Sequence, residues 1–202
     1  KIVGNTEYCK FPEESLKKEK VGGFFSPSLE RIIALKPDMV IMQKNNQKLS
    51  TKLTKLGIKT TVLKHKTLEE IEHSIITIGD ILEKKQKAQA LVQKIQKKLF
   101  EAKNILQNKK ILFVIGQHTK LERRIFVAGQ NLYFDDIITA TGNKNAYQSN
   151  HKGQPVLNIE NIIATNPDMV VLLAPLRETK GVSKEQLINP WLQLPITAAK
   201  KQ

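Results

Sequence analysis

Ser28-Leu29-Glu30-Arg31-Ile32-Ile33-Ala34-Leu35-Lys36-Pro37-Asp38-Met39-Val40-Ile41 decides how this chain folds, because it occurs twice. Asn158-Ile159-Glu160-Asn161-Ile162-Ile163-Ala164-Thr165-Asn166-Pro167-Asp168-Met169-Val170-Val171 aligns on it without gaps, with eight of fourteen positions identical. In each copy a Ser or Asn caps a short helix whose apolar face is two isoleucines and an alanine. Pro37 and Pro167 end those helices, since proline has no N–H to donate and its ring clashes with the preceding turn. The run of Met and β-branched residues that follows shows no polar alternation, so it reads as a buried parallel strand. Two helix–strand copies predict an α/β chain with two similarly built lobes.

Working outward, residues 48–56 read as a helix closed by Gly57, followed by a β-branched strand over 58–63. In the second half, 111–115 is an apolar strand ending at Gly116, 125–128 a shorter strand, and 131–141 a helix closed by Gly142. The opening Lys1-Ile2-Val3-Gly4 reads as a strand already under way. Between the halves, Thr67-Leu68-Glu69-Glu70 is a capping box. Apolar residues then recur at helical spacing through Ile71, Ile75, Ile78, Leu82, Leu91, Ile95, Leu99, Ala102 and Leu106. These forty residues would span roughly 60 Å if straight, with a break expected near 83–86 where the spacing is interrupted. The stripe keeps no strict heptad, which argues against a coiled-coil dimer. The expected organisation is an N-terminal lobe over 1–82, a connecting helix over 83–108 and a C-terminal lobe over 109–202.

Composition excludes several classes. The charged fraction of 26% and apolar fraction of 40% are ordinary for a globular chain. No apolar run approaches the eighteen or so residues that span a bilayer. The single cysteine, Cys9, makes no internal disulfide, and His65, His73 and His151 form no metal-ligand pattern. A net charge of +14 invites an anionic partner. The lysines are nevertheless spread at spacings of solvated helix faces, without aromatic interleaving, so no nucleic-acid partner is expected. No phosphate loop, nucleophile elbow or metal-binding histidine pair is present, and Asp38 and Asp168 follow helix-ending prolines as simple terminators. No catalytic residue, cofactor or resident metal is expected.

Two α/β lobes, a repeated helix–Pro-Asp–strand unit and one connecting helix resemble the helical-backbone, or class III, solute-binding proteins of ABC importers for vitamin B12, ferric siderophores and haem. The matching stretches are Ile2 to Pro12, Val21-Gly22-Gly23, both repeat copies, Phe126-Val127-Ala128-Gly129, Asp135-Asp136-Ile137-Ile138 and Gly142. The B12-binding branch is the nearest pattern. The resemblance implies two Rossmann-like lobes joined by a single long backbone helix, with the ligand in a cleft between them. It also implies that terminal segments of both lobes lie outside this sequence.

Carried residue by residue, the resemblance implies ligand contacts from Tyr8, Phe24, Phe25 and Gln43 in the first lobe, and from Gln117, His118, Phe126 and Gln154 in the second. Core packing is the bland account of the aromatics, but Gly22-Gly23-Phe24-Phe25-Ser26-Pro27 reads as a loop, where two adjacent phenylalanines are hard to bury together. His118 is an ordinary loop residue or an axial ligand of a bound metal. B12-binding members line the cleft with tryptophans, whereas the only tryptophan here, Trp191, lies outside the expected site. Arg123, Arg124 and Arg177 would suit an anionic ferric chelate if they faced it. Glu30 and Glu160 occupy the same first-turn position in both copies, where a carboxylate complements the helix dipole. In the family, glutamates at these positions dock onto the two permease subunits.

The implied protein is a periplasmic, or lipid-anchored extracytoplasmic, monomer. It hands a metal chelate (a ferric siderophore or related compound) or a corrinoid to a membrane-embedded ABC permease dimer. A two-lobed α/β enzyme of glycosyltransferase- or chelatase-like architecture is the alternative, and turnover of the bound compound would separate the two. A structural or adhesion module predicts no small-molecule binding at all.

Overall fold

The structure, a computed structural model, describes residues 1–103, 105–121, 124–149, 154–175 and 181–200. The chain divides into two compact units, Lys1–His65 and Lys66–Gln202. The division falls before the central helical segment rather than at its break.

In the first unit, β1 (Gly4–Asn5) and β2 (Glu19–Lys20) form a short parallel pair. They are followed by α1 (Leu29–Ala34), β3 (Met39–Gln43), α2 (Gln47–Lys55) and β4 (Lys59–Leu63). The first repeat copy folds as its residues require. The Ser28 hydroxyl accepts from the Arg31 amide at 3.3 Å, α1 stops three residues before Pro37, and β3 begins two residues after it. β3 lies parallel to β4 in the register Met39↔Lys59 to Gln43↔Leu63. Val40 and Met42 pack on the core of Val21, Ile32 and Leu53, whereas Ile41 between them is 41% exposed. The strand expected to be buried on both faces is therefore covered on one, and the period-two alternation comes from packing rather than from residue type. The opening residues also differ from expectation. Ile2 and Val3 are exposed, and strand pairing begins only at Gly4.

The second unit opens with α3 (Leu68–Ile81) and α4 (Lys85–Ala102). The Thr67 hydroxyl accepts from the Glu70 amide at 3.2 Å. The Glu70 carboxylate accepts from the Lys66 amide at 2.8 Å, one residue before the usual capping-box donor. Asp136, from a later helix, accepts from the Leu68 amide at 2.7 Å. Two otherwise orphaned donors of α3, the Leu68 and Glu70 amides, are thus satisfied, together with the Lys66 amide just before its cap. The expected break falls at residues 82–84, where Glu83 adopts φ +54°. After it the chain folds back: Gln96 donates to the Glu72 carboxylate at 3.0 Å, and Gly79 faces Ala88 so closely that no side chain fits between them. α3 and α4 therefore form an antiparallel helix pair in place of one long helix, and α4 contributes about 27 Å of length.

The sheet of this unit is built on β5 (Lys110–Ile115). Around it lie β6 (Ile125–Val127), α5 (Tyr133–Ala140), β7 (Lys144–Asn145), β8 (Val156–Leu157), α6 (Ile159–Thr165) and β9 (Met169–Leu173). β9 runs parallel along β5 from Ile111↔Met169 to Ile115↔Leu173. β7 pairs parallel with the start of β5, β6 pairs antiparallel with its end, and β8 pairs antiparallel with β6. In the second repeat copy Asn158 Oδ1 accepts from the Asn161 amide at 2.8 Å, and Asn166 takes a left-handed conformation ahead of Pro167. Asp168 does more than end a helix: its carboxylate accepts from the Lys110 amide at 2.9 Å and its own amide donates to the Lys110 carbonyl at 2.8 Å, stitching β9 to the first residue of β5. Two helices close the unit, α7 (Lys184–Leu192) and α8 (Thr197–Lys200). Leu112, Val114, Ile125, Val127, Ile162, Trp191 and Ile196 form its core. The two repeat copies therefore belong to separate units and separate sheets.

Candidate functional site

In parallel α/β units ligands are met at the carboxyl ends of strands, because the loops there are free of the sheet while the sheet holds their ends. Two groups of candidate residues stand at such ends.

In the first unit β3 ends at Gln43, and a short 3-10 turn (Lys44–Asn46) leads into α2. Asn46 Nδ2 donates to the Phe24 carbonyl at 3.2 Å, which ties this turn to the Gly22–Pro27 loop. The loop is itself pinched shut, with the Ser28 amide donating to the Val21 carbonyl at 2.7 Å. The Glu7 amide donates to the Gly22 carbonyl at 3.0 Å and brings in the segment that carries Tyr8. Three loops far apart in sequence are thus joined by backbone and amide hydrogen bonds. Their aromatic side chains stay largely wet: Tyr8 is 73% and Phe25 82% exposed, while Phe24 is half-buried. Phe24 and Phe25 meet edge to face, with centroids 4.8 Å apart. Exposed aromatics at a loop tip are costly to hydrate and available to stack on a flat ligand. Phe25 also lines an open groove of about 610 Å³ with Leu29, Asn45, Asn46, Lys48 and Lys52. Tyr8 and Gln43 do not line it.

In the second unit β5 ends at Ile115, and Gly116 turns the chain at φ +113°, donating its amide to the Leu173 carbonyl at 2.9 Å. Gln117 and His118 follow. His118 Nε2 lies 3.2 Å from the Ile115 carbonyl oxygen, and a carbonyl only accepts, so Nε2 is the protonated nitrogen. A side chain at Gly116 would press on that imidazole, at about the same distance as a tight contact. Axial ligation by His118 therefore falls to Nδ1, or requires breaking the bond to Ile115. Phe126, directly opposite Ile115 on β6, is 39% exposed and stands beside this turn. Gln154 is not brought to the same place. It precedes β8, and since Pro155 accepts from Val127, it lies farther toward the amino end of β5 than Phe126 does.

Gln43 and Gln117 share a feature that sequence could not show. Oε1 of Gln43, and both Oε1 and Nε2 of Gln117, are buried from solvent with no hydrogen-bond partner among the described residues. A buried polar group left unpaired costs about 1–3 kcal/mol. Both glutamines occupy the position where a strand gives way to its carboxyl-end loop.

Glu30 and Glu160 lie in the first turns of α1 and α6, exposed, and neither has a hydrogen bond or ion pair among the described residues. Of the basic side chains weighed for an anionic ligand, Arg124 is exposed, and Arg123 and Arg177 lie outside the described residues, as does His151. His65 and His73 are exposed, and Trp191 is in the core of the second unit. Asn46, which anchors the Phe24 carbonyl, was missed by sequence reasoning because its partner is twenty-two positions away. Ser183-Lys184-Glu185-Gln186 was a readable capping box, and it starts α7 with both reciprocal bonds formed.

Comparison with known proteins is consistent with this geometry. The vitamin B12-binding protein of Salmonella typhi is 25% identical over 199 residues, covering 96% of this chain and 72% of that protein. A siderophore-binding protein, solved with two molecules of acinetobactin and ferric iron, superposes with a TM-score of 0.77 at 21% identity, covering 99% of this chain and 74% of that one. A periplasmic haem-binding protein of Vibrio cholerae superposes with a TM-score of 0.76 at 24% identity, covering 98% and 77%. At these identities the two structures establish the fold. The family model for periplasmic binding proteins matches residues 1–202, and so the whole chain belongs to the periplasmic binding protein family.

Proposed function

We propose that this chain is the extracytoplasmic solute-binding component of an ABC importer. It captures a metal chelate, either a ferric siderophore or related compound or cobalamin, and delivers it unchanged to the permease. One solved relative is bound to a ferric siderophore complex, another is a haem-binding protein, and the Salmonella relative is a vitamin B12-binding protein, which supports a metal chelate as the ligand class. The chain acts by binding rather than by catalysis, and as a monomer.

The observation that carries the delivery step is the pair Glu30 and Glu160. A repeated module in two separate units places one exposed carboxylate, without an ion partner among the described residues, in the first turn of each helix. An isolated carboxylate there is stabilised by the helix dipole and remains available to a cationic partner. On a chain of net charge +14, two such acidic points orient the molecule against basic permease surfaces. The test is a proteoliposome carrying the cognate permease. Glu30→Ala with Glu160→Ala leaves chelate affinity within about twofold and abolishes uptake. Uptake at the wild-type rate by the double variant removes the docking role.

A further inference from the structure

The two helices that open the second unit divide their charges by sign. α3 carries Glu69, Glu70, Glu72 and Asp80 and no lysine or arginine, whereas α4 carries Lys85, Lys87, Lys94, Lys97 and Lys98 against the single acid Glu101. The covered positions of α4 are Ala88, Val92, Ile95, Leu99 and Ala102. At about 100° per residue, Lys87, Lys94, Lys97 and Lys98 fall within an arc of roughly 100°, on the side of the helix turned away from that covered line. They span about 16 Å along the axis. The lysines thus avoid the acidic helix packed beside them, and across the pair Glu72 is met by the uncharged Gln96 instead. Lys87, Lys94 and Lys97 are exposed and make no hydrogen bond or ion pair among the described residues, while Lys98 pairs with Glu101 at 2.7 Å. Lys94 also has like charges three and four positions on, at Lys97 and Lys98, a spacing that destabilises a helix. A face serving solubility alone is better built with the two signs interspersed.

We propose that this lysine face of α4 adsorbs to the anionic phospholipid surface of the membrane. Side-chain chemistry selects that partner. Lysine is a compact charge on a flexible stem, suited to mobile phosphate headgroups that offer no fixed geometry. α4 has no arginine, the residue fitted to planar, bidentate contacts on a protein or nucleic acid, and no aromatic side chain falls within the arc. Between Lys87 and Lys94 the arc is filled by Ala90 and Leu91, and Leu91 is 47% exposed. Leu91 is placed to reach headgroup level while the lysine stems lie along the surface. One leucine is too little apolar area to hold a helix in the bilayer, so the attachment is electrostatic and reversible. It keeps an extracytoplasmic binding protein near the bilayer that holds its permease, and it depends neither on the bound ligand nor on the contacts of Glu30 and Glu160.

The experiment sediments the full chain with vesicles of phosphatidylcholine alone, or containing about 30% phosphatidylglycerol, at about 50 and 300 mM salt. Three proteins are compared. One is the wild type, and the second carries Lys87→Gln, Lys94→Gln, Lys97→Gln and Lys98→Gln. The third carries Lys44→Gln, Lys48→Gln, Lys52→Gln and Lys55→Gln, all exposed positions of the first unit. Both variants lose the same positive charge, so the pair separates a local face from the net charge of +14. The wild type is expected to bind the phosphatidylglycerol vesicles, to ignore phosphatidylcholine, and to be released at the higher salt. Each lysine lost from the contact weakens binding about fivefold, so the α4 variant loses at least about tenfold. The first-unit variant stays within about threefold of wild type. Glutamine matches lysine in helix propensity, so thermal melts of all three proteins coincide within about 2 °C. Should the fourfold α4 variant melt lower, Lys94→Gln with Lys98→Gln still loses about tenfold or more. Equal losses in the two fourfold variants assign the effect to bulk charge and overturn the proposal. Wild-type binding that shows no preference for phosphatidylglycerol, or that persists undiminished at the higher salt, overturns it as well.

Discussion

The repeated Ile-Ile pair makes a quantitative statement about packing. Ile162 is fully buried in the core of the second unit, in the same cluster as Trp191, the chain's only tryptophan. Ile162→Ala removes three side-chain carbons, worth about 2.4 kcal/mol of transfer free energy at ~0.8 kcal/mol per carbon. A residual cavity of a few tens of Å³ adds on the order of 1 kcal/mol at about 24 cal/mol per Å³. The expected loss is thus about 3–4 kcal/mol. Ile105, in the same unit, is 76% exposed, and the same deletion there forfeits about a quarter of the transfer energy, near 0.6 kcal/mol, with no cavity. Urea titrations followed by Trp191 fluorescence give both numbers from one signal that sits inside the affected core. A loss below about 1 kcal/mol for Ile162→Ala, or equal losses at the two sites, would falsify the assignment of Ile162 as the buried member of the pair.

Lys36 and Asn166 are equivalent in the repeat, and both adopt left-handed backbone, at φ 44° and 40°. Asparagine tolerates that region better than lysine does. Lys36→Asn should therefore stabilise the first unit by about 0.5–1 kcal/mol in thermal melts, and a loss of stability would contradict the copy-to-copy equivalence. At Gly79, alanine would gain up to about 1 kcal/mol of helix propensity, but its methyl group collides with Ala88 across the α3–α4 pair. Overpacking of this kind costs about 1–3 kcal/mol. Gly79→Ala should be destabilising in chemical denaturation and restored by adding Ala88→Gly. A Gly79→Ala protein more stable than wild type would show that the two helices do not touch there.

The candidate site was legible in part. Phe24 and Phe25 were recognisable because two large apolar residues flanked by Gly-Gly and Ser-Pro have no regular element in which to hide, and Phe25 is indeed 82% exposed. Gln43 and Gln117 were placed by the ends of apolar strand runs. Their unpaired amides were invisible, since the absence of a partner is a property of every surrounding residue at once. Gln154 was assigned by its position ahead of the second copy, but strand direction in β6 and β8 carries it away from the Gly116 turn. Antiparallel pairing leaves no mark in so short an apolar segment.

What the sequence alone determined is everything settled within about one turn or one strand. This includes Ser28, Thr67 and Asn158 as caps, Pro37 and Pro167 as stops, and Gly57 and Gly142 as helix-ending turns. The membership of two equivalent modules was also written there. These features depend on local hydrogen bonds and on φ restrictions that the residues carry with them. Only tertiary structure decided which isoleucine of each pair is buried, that β3 is covered on one face, and that α4 folds back on α3. It also decided that Asp168 stitches β9 to β5 instead of merely ending a helix. Those outcomes turn on contacts between residues tens of positions apart, whose free energy exists only after the chain has brought them together.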